Sequence, residues 1–140
     1  MSSQWIDPES CQSLAVLVET VTAPLLIQHA SPVCLELEIE TSMPIPADAR
    51  KTAELVRTLV TQSLAEMPDG GELSIGAVEV AGCVQLSLTD SGCPPSDRAC
   101  SIPMTAAAIG AKLQWQPAEQ GGAVVNITFT RQGESGRMAA

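Results

Sequence analysis

At 140 residues, 45% of them hydrophobic, the chain has the size of one ordinary domain, able to bury about two thirds of its unfolded surface in a single core. A net charge of −9 with only seven Lys and Arg argues against a nucleic-acid surface, which needs clustered cations to neutralise phosphates. Five cysteines (Cys11, Cys34, Cys83, Cys93, Cys100) form an odd set without a CxxC pair, which argues against a disulfide framework and a zinc site.

The N-terminus, MSSQWIDPES, lacks the basic segment and apolar core of a secretory signal. Asp7, Pro8 and Glu9 make a helix start: a capping oxygen, a proline at the first helical position and an acid facing the helix dipole. A helix over residues 8–29 is expected, ended or kinked by Pro24, which removes a backbone donor. Glu19 and Pro24 interrupt the apolar run 14–27, and no stretch approaches the roughly 20 residues that cross a bilayer. A cytoplasmic location without membrane partner follows as the expectation.

Val33, Leu35, Leu37 and Ile39 alternate with Cys34, Glu36, Glu38 and Glu40, the period of a strand with one buried and one acidic, wet face. That acidic face is either a solubilising surface or one that meets a basic partner. Apolar residues at Ala53, Val56, Leu59, Val60, Leu64 and Met67 then mark one side of a helix over 47–66. The turn Pro68-Asp69-Gly70-Gly71 leads into two strands, 72–80 and 83–89, joined as an antiparallel hairpin by Ala81-Gly82.

A loop from Asp90 to Pro95, a short helix at 103–110, a strand at 112–116 and a final strand at 123–130 complete the chain, with a polar, flexible tail at 132–140. The expected domain is therefore residues 1–131, of α/β (α+β) class. Its architecture is a two-layer sandwich, a mixed and mostly antiparallel sheet covered by helices on one face.

Three segments carry a family likeness. LVTQSLAEMPDGGELSI resembles a long helix and strand that usually read L-x-x-N-A-x-x-A-M-P-x-G-G-x-L-x-I, VQLSLTDSGCPP resembles a strand and loop bearing a D-x-G-x-G box, and LQWQPAEQGGAVVNITF resembles a closing hairpin. In this order they resemble the ATP-binding domain of bacterial sensor histidine kinases, shared with DNA gyrase, a heat-shock chaperone and the mismatch-repair ATPases (GHKL, or Bergerat fold). The likeness runs over residues 14–130.

The resemblance implies that Asp90 stands at the position of the aspartate that accepts the adenine amino group, and Gly92 at the first glycine of the box. Gln62 stands where the family keeps its magnesium-binding asparagine, one methylene too long for a metal that demands tight octahedral geometry. Thr58 replaces a glutamate base of the ATP-hydrolysing relatives, Pro94 replaces the second glycine, and Ala123 takes the place of a threonine near adenine. Only residues 96–102 stand where sensor kinases hold a long lid, with Arg98 as the cation nearby.

On these departures the chain is expected to be a degenerate pseudokinase, not an enzyme: a protein-interaction module of bacterial two-component-type signalling. Its vestigial adenine and magnesium pocket would comprise Asp90, Gly92 and Gln62. No bound cofactor and no metal are expected, ATP remaining a candidate for that pocket. The expected partner is a response regulator or a kinase, with a homodimer through helix 8–29 as an option, since Leu14, Val18, Val21 and Leu25 share one stripe.

Two alternatives stay open: an ATP-binding protein kinase of the anti-sigma type that uses Asp90, and a histidine-phosphotransferase-like protein. The single histidine, His29, lacks the acidic neighbour and proline of a phosphorylated motif and is expected to face solvent without a signalling role. Asp90 can also be read as a plain turn residue, and Cys93 and Cys100 as inert thiols or a redox pair.

Overall fold

The structure, a computed structural model, describes residues 13–98, 103–119 and 121–129. The expected helix start at residues 7–9, Cys11, Cys100, Thr130 and the tail at 132–140 lie outside the described residues.

Helix α1, Leu14–Gln28, buries Leu14, Leu17, Val18 and Val21. This stripe packs against α2, so the residues singled out for a dimer serve the chain's own core. Pro24 does not end α1, which continues to Gln28. Beyond Pro24, Leu25 and Leu26 are half-buried against the core, and this packing holds the last turn despite the lost hydrogen bond.

Strand β1, Val33–Glu38, alternates as expected, but Val33, Leu35 and Leu37 are only half-buried. It lies at the edge of the sheet, with a neighbour on one side alone. Helix α2, Ala49–Ala65, starts after Asp48, whose carboxylate accepts from the Lys51 N–H at 2.9 Å. Its inward face carries Ala53, Leu55, Val56, Leu59, Val60 and Leu64.

Strands β2, Gly71–Val80, and β3, Cys83–Asp90, form the expected hairpin. Both turn residues are left-handed, Ala81 at φ 54° and Gly82 at φ 82°, the backbone that matches the twist of two paired strands. A single 3-10 turn at Pro95–Asp97 follows, then α3, Met104–Ala108, β4, Ala111–Pro117, and β5, Ala123–Phe129.

The sheet order is β1-β2-β3-β5-β4. β1 runs parallel to β2, and the remaining pairs are antiparallel. Leu73, Ile75, Leu86, Leu88, Val125, Ile127 and Phe129 join the residues of α1 and α2 in one core. The fold is the mixed two-layer α/β sandwich expected from the sequence. Among the described residues no helix is long and apolar enough to cross a membrane.

Candidate functional site

Along β3 the buried positions alternate, so that Val84, Leu86, Leu88 and Asp90 fall on one side of the strand. Asp90 closes that series and pairs in register with Leu73 of β2 and Ala123 of β5. A carboxylate is thus placed at the end of a central strand, in line with core leucines and only 3% exposed. Such a charge needs a partner, since an unpaired buried carboxylate is far costlier than a paired one.

Arg98 is that partner. The 3-10 turn at Pro95–Asp97 brings the chain back, and the guanidinium meets the carboxylate through two parallel hydrogen bonds. Nη1 donates to Oδ2 at 2.8 Å and Nη2 to Oδ1 at 2.7 Å. Both side chains are 2% exposed, and the fork-to-fork geometry is the strongest form of ion pair that side chains make.

The loop between the two residues is tied to the pair. The Gly92 N–H donates to Asp90 Oδ1 at 3.0 Å, Arg98 Nε donates to the Cys93 carbonyl at 2.9 Å, and Nη2 also reaches that carbonyl. The Trp115 ring of β4 stands 6.0 Å from the guanidinium carbon, within cation–π range. Hydrogen bonding to Asp90 holds the Arg98 guanidinium above its ordinary pKa, with burial working in the opposite direction.

The same loop rests on the end of α2. A Cβ at Gly92 would stand 2.7 Å from the Glu66 carbonyl oxygen and 3.1 Å from Arg98 Nη2, so glycine is needed there for space. The Cys93 thiol donates to Glu66 Oε1 at 2.9 Å. That hydrogen bond, with burial, pushes the thiol above its ordinary 9.0.

The structure sets the Gly92 N–H on the Asp90 carboxylate and places Gln62 half-buried on α2, one turn before Glu66. Among the described residues no group of three or more His, Cys, Asp or Glu is gathered as metal ligands. Both carboxylate oxygens of Asp90 accept from Arg98, and Oδ1 also accepts from Gly92, so three of its roughly four acceptor positions are taken within the chain.

From the sequence Arg98 is only a nearby cation, and its pairing with Asp90 is what that reasoning missed. The available signal was its position as the cation of the short segment after a buried-strand aspartate. His29 also differs from expectation. It does not face solvent but is half-buried, its Nε2–H donating to the Met67 carbonyl at 2.8 Å. The parallel pairing of β1 with β2 draws the end of α1 onto the turn before β2, where Ser31 Oγ also donates to the Pro68 carbonyl at 2.8 Å.

On the sheet face away from the core, a groove of about 650 Å³ is lined by Glu36, Glu72, Ser74, Thr89, Gln116 and Glu119, among others. From the acidic face of β1, Glu36 lines it.

No protein-family model and no curated protein matches this sequence. Solved structures do match. The mycobacterial sensor histidine kinase MprB is 15% identical with a TM-score of 0.66, over 84% of this chain and 95% of that one. The histidine kinase AdeS of Acinetobacter baumannii is 17% identical at 0.67, over 86% of this chain and 66% of that one. The histidine kinase ThkA, in complex with the response regulator protein TrrA, is 16% identical at 0.69, over 87% of this chain but 41% of that one.

The fold is thus that of histidine-kinase-like ATPase (GHKL) domains. This corrects the expectation that the chain is not an enzyme. The structures it is similar to are histidine kinases, ThkA among them through its catalytic domain, and nothing in the geometry shows that activity has been lost.

Proposed function

We propose that this chain, with the fold of histidine-kinase catalytic domains, works in two-component-type signalling as an interaction module that docks a response regulator. The observation that supports the reading is the Arg98–Asp90 pair. The carboxylate at the adenine position is committed to holding the loop 90–98 against α2 and β4.

The longer carboxamide of Gln62, the proline at 94 and the short segment 96–102 agree with a degenerate nucleotide site in which ATP is the candidate ligand and Asp90, Gly92 and Gln62 the vestigial pocket. ThkA, of the same fold, is seen in complex with the response regulator TrrA, and a receiver of that kind is the partner proposed here. For a homodimer through residues 8–29, Val16 and Ile27 stay exposed among the described residues and would supply apolar contacts, the main stripe of α1 being buried. We place the protein in the cytoplasm, where such partners act.

A second reading, an ATP-binding protein kinase of the anti-sigma type, is favoured by one observation: Asp90 and Gly92 keep the mutual geometry of a D-x-G turn. A histidine-phosphotransferase role is not favoured, since His29 is engaged by the Met67 carbonyl.

The test is surface plasmon resonance of the purified chain against purified receiver domains encoded in the same genome, unphosphorylated and phosphorylated. Saturable binding to one receiver at micromolar concentration, about −8 kcal/mol, supports the docking role. Absence of binding to every receiver, together with Mg²⁺-dependent ATP binding, sends the assignment to the second reading.

A further inference from the structure

A pocket whose key carboxylate is already satisfied can be dead, or it can be shut. The geometry points to Arg98 as an internal competitor for the ligand site, a guanidinium latch that an adenine nucleotide must displace from Asp90 before it can bind. The inference rests on the reading of Asp90 as the adenine-facing position, and it concerns how that same site is regulated.

The chemistry of the two competitors is unequal. The guanidinium offers two parallel N–H donors and a full positive charge to the two carboxylate oxygens, at 2.7 and 2.8 Å. The neutral adenine edge offers one amino donor beside a ring nitrogen that is itself an acceptor, a poorer match for a carboxylate. Arg98 is also tethered by only seven residues, 91–97. A short tether gives effective concentrations on the order of millimolar or more.

The latch has a seat as well as a target. Arg98 Nε donates to the Cys93 carbonyl at 2.9 Å, so the loop holds the side chain in the displacing position. The buried Trp115 Nε1–H makes no hydrogen bond among the described residues, and the ring that bears it lies 6.0 Å from the guanidinium. A purine, with several ring nitrogens, can satisfy that donor, whereas a guanidinium, which has no acceptor, cannot. The apparent dissociation constant for nucleotide then equals the intrinsic one divided by the unlatched fraction.

Trp115 supplies the readout, since the chain has only two tryptophans and Trp5→Phe leaves one reporter. ADP and ATP would be titrated, without and with Mg²⁺, into W5F and into W5F carrying Arg98→Ala or Arg98→Lys, following Trp115 fluorescence. The latch requires Arg98→Ala to bind ADP at least tenfold more tightly than its parent, with the gain removed by adding Asp90→Asn. Equal affinity in both proteins overturns it, and so does failure of both to bind up to millimolar ADP.

In the latter case the receiver-domain experiment, run on the same two proteins, shows separately whether the docking role stands. If Arg98→Ala does not fold by circular dichroism, the wild-type chain serves. The ¹⁵N resonance of Arg98 Nε should shift on addition of millimolar ADP. An unchanged resonance overturns the proposal.

Discussion

Asp90 and Arg98 stand eight residues apart in sequence and meet through two parallel hydrogen bonds of 2.7 and 2.8 Å, with both side chains 2% exposed. The pair closes the loop after β3 and joins the sheet to the end of α2 and to β4. Its energetics follow from desolvation. Two buried charges stabilise little in net terms when paired, and one left alone is strongly destabilising.

Removing one member should therefore cost more than removing both. Asp90→Leu and Arg98→Met singly should each lower unfolding free energy by about 3–5 kcal/mol, and the double variant should recover most of that loss. Urea denaturation of the four proteins measures the coupling. Simple additivity of the two losses would show that the pair does not act as a unit.

Gly92→Ala tests the close approach of the loop to α2. The added Cβ would stand 2.7 Å from the Glu66 carbonyl oxygen and 2.9 Å from Glu66 Cβ. Neither atom is the far end of a flexible side chain, so overpacking of about 1–3 kcal/mol is expected. Chemical denaturation reads it, and the W5F background would show an accompanying change in Trp115 emission.

Ala81 holds φ at 54° in the β2–β3 turn, a left-handed conformation that L-residues other than Asn and Asp adopt at a penalty. Ala81→Gly should raise stability by about 0.5–1 kcal/mol, the relief of strain exceeding the added entropy of the unfolded chain. Thermal unfolding measures the gain. A loss of stability would mean that the turn is not strained.

Cys93 should be a poor nucleophile. Its thiol is held above 9.0 by the hydrogen bond to Glu66 and by burial, so alkylation by iodoacetamide near neutral pH should be slower at Cys93 than at exposed Cys34. Glu66→Gln removes the repelling carboxylate and should speed Cys93 labelling, read by mass spectrometry.

The sign of the pH effect follows from the same shift. A raised folded pKa means that the contribution of Cys93 to stability is fully present below pH 9.0 and lost as pH rises through the higher folded value. Stability of Cys93→Ala should lack that alkaline loss.

Much of the fold was legible before any coordinates. The alternation of β1, the apolar side of α2 and the Ala81-Gly82 turn are local patterns, and local patterns survive into the structure because the core rewards each of them. The exceptions are informative. Pro24 is expected from the sequence to end or kink the helix, yet α1 runs on to Gln28, where Leu25 and Leu26 pack against the core. His29 was read as solvent-facing because nothing near it in sequence binds it. Its partner is the carbonyl of Met67, thirty-eight residues away.

The candidate site divides in the same way. Asp90 and Gly92 stand out through the resemblance to a family's D-x-G box, and the turn is local, Asp90 Oδ1 accepting from the Gly92 N–H at 3.0 Å. That Arg98 pairs with the carboxylate, that its guanidinium lies over the Trp115 ring and that Glu66 takes the Cys93 thiol came only with the tertiary structure. These contacts join β3, α2 and β4 and the loop between them, and no spacing along the chain encodes a meeting of that kind. Periodicity and turn signals determined a two-layer α/β domain with an aspartate just after a hairpin strand, and the sheet order made that strand central. Three-dimensional packing decided what that aspartate holds, because a buried charge takes whichever cation the folded chain brings within reach.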